Sequence, residues 1–94
     1  MKKPTPTPSL ADIYETAIRL AYTEFPSVPC PVGVPRAWIA NYLMYRAGLE
    51  AELIAQLAET DRRTISASVL FIIEMLKYPS FAQALNILIR QVGS

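Results

Sequence analysis

Apolar side chains recur at helical spacing over most of this chain, most clearly between Leu49 and Tyr78 (LEAELIAQLAETDRRTISASVLFIIEMLKY). Leu53 and Leu57 stand four apart. Ile65, Val69, Ile72 and Leu76 follow at steps of three and four, the period that places side chains on one face of an α-helix. The pattern predicts two helices joined by a very short turn, and the rest of the chain is organised around that pair. Asp61 lies between them, with a carboxylate that can accept from the backbone N–H of Arg63 or Thr64 as a helix N-cap. Arg62, Arg63 and Thr64 then occupy the first turn of the second helix.

Residues 1–9 read as a disordered tail, because prolines alternating with threonines favour an extended, solvated backbone. Ser9 closes the tail as an N-cap, with Asp12 as its capping-box partner. A helix over Leu10–Glu24 should bury Ile13, Ala17, Leu20 and Ala21 and stop at Pro26. Phe25–Val34, with three prolines and a glycine, reads as an irregular connector. Pro35 can open a helix over Arg36–Ala47, where its missing N–H costs nothing. Ile39, Leu43 and either Trp38 or Tyr42 would form its core face, and Gly48 would end it as a left-handed residue. Pro79 should end the central pair, and Ser80 with Gln83 makes a capping box for a last helix, Phe81–Val92. Five helices and no strand follow, so the expected fold is an all-α bundle forming one domain over residues 10–94.

Composition narrows the chemistry. Ninety-four residues, 52% of them hydrophobic and 18% charged, can enclose one modest core. A formal net charge of +1 gives little long-range pull on a polyanion. With one cysteine and no histidine there is neither a Cys/His zinc site, nor an intramolecular disulfide, nor a His-dependent triad. Cys30 reads as a small apolar filler with no base beside it. Glu50 and Glu52 lie on an ordinary polar face without partner groups, so the expectation is no enzyme, no metal and no cofactor. No apolar run approaches the roughly 20 residues that span a bilayer. Lys2 and Lys3 are followed by prolines and threonines rather than a signal-peptide core, which makes the cytoplasm the default location.

A short link between the central helices would force a steep crossing and push the first turn of the second outward. Helix-turn-helix proteins use that geometry to set polar side chains into the DNA major groove. The segment from Pro35 to Ile72 resembles the C-terminal DNA-binding domain of the bacterial replication initiator DnaA. The resemblance rests on Pro35-Arg36, on Ile39-Ala40-Asn41-Tyr42-Leu43 with Arg46 nearby, on Leu53 and Leu57, and on Asp61-Arg62-Arg63-Thr64-Ile65. Spacing from Leu53 to Ile65 is similar to the family's without a gap, whereas the preceding helix needs a one-residue adjustment. With its flanking helices the likeness covers about Ile13 to Val92. It departs where the family has paired glycines, here Ala58 and Glu59, and where it has a signature arginine, histidine and first threonine, here Thr60, Arg62 and Arg63. The family's basic loop is replaced by the uncharged SVPCPVGV, and its ATPase domain is missing, so helicase loading is not implied.

The resemblance implies that Arg36 enters the minor groove, whose A·T-rich tracts have enhanced negative potential. It implies that the Asp61–Thr64 turn reads the major groove. Asp61 could accept from cytosine N4, Arg62 or Arg63 could fork onto guanine O6 and N7, and Thr64 could hold a phosphate. A plainer reading stands beside each: Asp61 as a cap only, Arg62 and Arg63 as a solvated first turn, Arg36 and Arg46 as surface residues. Two cations at a helix N-terminus oppose the helix dipole, which favours a functional role for them. From Arg36 to Lys77, however, five basic and five acidic side chains cancel, so tight nonspecific binding is not expected.

The second helix of the pair is apolar nearly all round. Leu70, Phe71 and Ile73 cannot all join the core face defined by Ile65, Val69, Ile72 and Leu76. The last helix, with Phe81, Leu85, Ile87, Leu88, Ile89 and Val92, also has more apolar surface than one face needs. Such a surplus predicts a homodimer or another protein as partner. Two functions therefore compete: a small DNA-binding regulator of transcription or replication, or an interaction module of the same fold that has lost its DNA contacts. The arginine turn tips the expectation narrowly to DNA.

Overall fold

The computed structural model describes residues 9–25 and 34–92; the expected tail, most of the proline connector and the last two residues lie outside them. The described residues form five helices and no strand.

Ser9 begins the first by the expected exchange: its Oγ accepts from Asp12 N at 3.1 Å, while Asp12 Oδ2 accepts from Ser9 N at 3.4 Å. The helix α1 (Leu10–Arg19) runs on into a π-helical stretch, Leu20–Glu24, closed by Phe25 N donating to the Leu20 carbonyl at 2.8 Å. Phe25 is extended, the conformation a residue before proline prefers. Ala17, Leu20 and Ala21 are fully buried as expected, with Ile13 packed at the edge of the core.

Helix α2 (Arg36–Arg46) is the centre of the molecule, in place of the Leu49–Tyr78 pair that the sequence pattern put there. It packs against α1 and its π-helical extension, and against all three later helices. Residues Ile39 through Met44 are buried without interruption, a helix enclosed on most sides. Tyr42 rather than Trp38 joins the core; Trp38 is half-buried, edge-on to Phe71 at 5.3 Å between ring centres. The pattern hid this centre because α2 carries Asn41 among its buried positions, and that polar side chain is satisfied by Ser68 of α4.

Both ends of α3 (Ala51–Leu57) are shaped by positive φ. Gly48, at φ +105, closes α2, with Gly48 N donating to the Tyr45 carbonyl and Leu49 N to the Met44 carbonyl, a Schellman ending. Glu59, at φ +55, closes α3 by the same pair of bonds, Glu59 N to Gln56 O and Thr60 N to Ala55 O. The buried face of α3 is Ile54 and Ala55; Leu53 and Leu57, expected there, pack only at its rim. Helix α4 (Arg62–Met75) buries Ile65, Ser68, Val69 and Ile72. Helix α5 starts at Pro79 and runs to Val92, two residues earlier than the Ser80–Gln83 box suggested. Proline suits a first helical position because the N–H it lacks would have no intrahelical acceptor there. Phe81, Leu85, Leu88 and Val92 of α5 are buried, and Phe81 meets Phe25 edge-on at 5.6 Å. No helix among the described residues is long and apolar enough to cross a membrane.

Candidate nucleic-acid interface

The corner between α3 and α4 is four residues long, Ala58 to Asp61, and its chain reversal comes from the left-handed Glu59. Asp61 then caps α4, its Oδ1 accepting from Thr64 N at 2.8 Å. Bonds from the Thr64 backbone and hydroxyl, with a smaller one from the Arg63 N–H, hold the Asp61 carboxyl below its ordinary value. The exposed carboxylate is thus anionic and aimed into the first turn of its own helix.

Arg62 and Arg63 are exposed. Neither guanidinium makes a hydrogen bond or ion pair with another described residue. The expected outward projection of the first turn is therefore present, with two cations at a place where the helix dipole disfavours them. Glu59 and Asp61 are exposed beside them, so the corner has no net charge.

Arg36, which the resemblance assigns to the minor groove, is half-buried and bonded within its own chain. Its Nη1 donates to the carbonyls of Ala21 at 2.9 Å and Phe25 at 2.7 Å, and its guanidinium lies 5.8 Å from the centre of the Phe25 ring. The carbonyls belong to the end of the first helix, whose last turn has no backbone donors ahead of it. Arg36 is therefore a cap in trans, joining the start of α2 to the end of the π-helical stretch. Arg46 is exposed at the other end of α2, donating to Tyr42 Oη at 3.1 Å and lying over that ring at 5.9 Å. Both arginines of α2 thus bond within their own chain, while the guanidinium groups of Arg62 and Arg63 in α4 do not bond to any described residue.

Of the surplus apolar residues, Leu70 and Ile73 are exposed, by 67% and 47%. Phe71 is half-buried against Trp38 and so belongs in part to the fold. Leu70 lines a surface hollow together with Tyr45, Ala51, Ser66 and Val69. Tyr45 is the residue the sequence reading missed: it stands exposed on α2 facing this hollow, and periodicity alone does not mark an outward tyrosine.

Compared with protein-family models, with curated proteins and with solved structures, the chain matches none of them.

Proposed function

We propose that this chain is a small duplex-DNA-binding protein, a regulator of transcription or replication, which uses α3 and α4 as a helix-turn-helix. The observation that supports it best is the pair Arg62 and Arg63, exposed and unpaired among the described residues on a capped first turn. Asp61 orients that turn, Arg62 or Arg63 forks onto a guanine edge, and Thr64 anchors the helix start. Specific contacts must supply most of the affinity, because the corner has no excess charge to hold DNA of any sequence.

Fluorescence anisotropy on random and initiator-box duplexes, at low and moderate salt, tests this. Binding that Arg63→Ala or Arg62→Ala weakens by about 1–3 kcal/mol supports the assignment. Absence of binding at low salt overturns it. A second reading, a protein-interaction module of the same fold, is favoured by two observations: the side chain of Arg36 is committed to its own chain, and Leu70 and Ile73 lie open on α4.

A further inference from the structure

The outer face of α4 is a stripe made by Arg63, Ser66, Ala67, Leu70, Ile73 and Glu74, continued by Lys77 just past the helix end, each exposed. The order along it is cation, two small residues, two large apolar residues, then an anion beside a cation. Leu70 projects as a knob. One side of it helps wall a hollow that Tyr45, Ala51, Ser66 and Val69 complete, which is apolar and open. A knob and a hole on one surface suit a self-complementary contact about a twofold axis.

From this juxtaposition we infer that the face is occupied by a second copy of the chain, with the two α4 helices antiparallel. One register satisfies both size and charge. With the twofold passing midway between the levels of Ser68 and Val69, Leu70 of each helix lies over the small Ala67 of the other. The same register sets Arg63 opposite Glu74. These two residues are about 16 Å apart along one helix, so each end of the contact closes with an opposite pair. Glu74 already lies 3.4 Å from Lys77, but both are largely exposed and such a pair is worth little, so it is free to turn. A parallel arrangement would put Arg63 against Arg63, and no such closure results.

The contact uses the apolar face that favours the second reading, and it also covers Arg63. Self-pairing and docking of α4 into a groove therefore exclude one another, whichever function holds. Light scattering on the full chain over a concentration series provides the test, with circular dichroism confirming that each variant is folded. The wild type should be a dimer that dissociates on dilution, and Leu70→Glu should weaken it at least ~10-fold. Arg63→Glu and Glu74→Arg should each weaken the dimer, and the two together should restore it, because the swapped charges again meet as opposites. A wild type that stays monomeric at high concentration overturns the inference and leaves the DNA measurement unaffected. A dimer indifferent to Leu70→Glu, or one that the double swap does not rescue, overturns the proposed register.

Discussion

Asn41 of α2 and Ser68 of α4 meet inside the core: the Asn41 amide nitrogen donates to Ser68 Oγ at 3.2 Å, and Ser68 Oγ donates onward to the Thr64 carbonyl at 2.7 Å. Both side chains are buried, and the amide depends on the hydroxyl for its partner. A slide of one helix along its neighbour would strand the amide, so the bond fixes how α2 and α4 sit together. Ser68→Ala should cost about 1–3 kcal/mol, since the amide loses its acceptor without regaining water. Asn41→Leu should cost less, because the serine keeps its carbonyl partner. The double substitution should be less damaging than the sum of the two, and denaturant unfolding of all four proteins measures that coupling.

Arg36 predicts a stability effect as well as, or instead of, a binding one. Arg36→Ala leaves the Ala21 and Phe25 carbonyls without their donor and should lower stability by about 2–3 kcal/mol, at the level of a charged hydrogen bond. Arg36→Lys should restore only part, because a lysine lacks the planar fork and its stacking on Phe25. Thermal unfolding of the three proteins is the check. An unchanged midpoint would free the guanidinium for a groove after all.

The two left-handed residues predict opposite signs. Gly48→Ala should destabilise by about 1–2 kcal/mol: no atom lies within 4 Å of the added methyl, so the cost is backbone strain alone. Glu59→Gly should stabilise by about 0.5 kcal/mol, since glycine removes the strain at φ +55 while adding freedom to the unfolded chain. Chemical denaturation of the pair reads both.

Asp61 gives the pH dependence. Its folded pKa lies below the ordinary 3.8, so the charged cap stabilises α4 fully above that value. The contribution fades as acid carries the pH down through the folded pKa. Asparagine caps without titrating. The difference in melting temperature between wild type and Asp61→Asn should therefore be constant near neutrality and change only in strong acid.

How much of this could be read beforehand depends on the distance a signal spans. Ser9 with Asp12, Asp61 with Thr64, and Gly48 after α2 are each settled within three or four residues, and each was legible. The choice of Ile54 and Ala55 over Leu53 and Leu57 was not, because one short helix offers two apolar edges and only its neighbours decide between them. Glu59 has no residue signature for its left-handed turn. The partners of Arg36 lie eleven and fifteen residues back, beyond a connector, where no local pattern can point. For the candidate site, the exposure of Arg62 and Arg63 followed from the cap, while the hollow under Tyr45 needed the tertiary arrangement.

Because α2 touches every other helix, its amides can reach solvent only when the whole assembly comes apart. Helix α5 rests on α1 and α2 alone among the principal contacts and can peel away at lower cost. Deuterium should therefore enter α5 first, through openings of that helix alone. The amides of Ile39 to Met44 should exchange last, at a rate that reports the full free energy of unfolding.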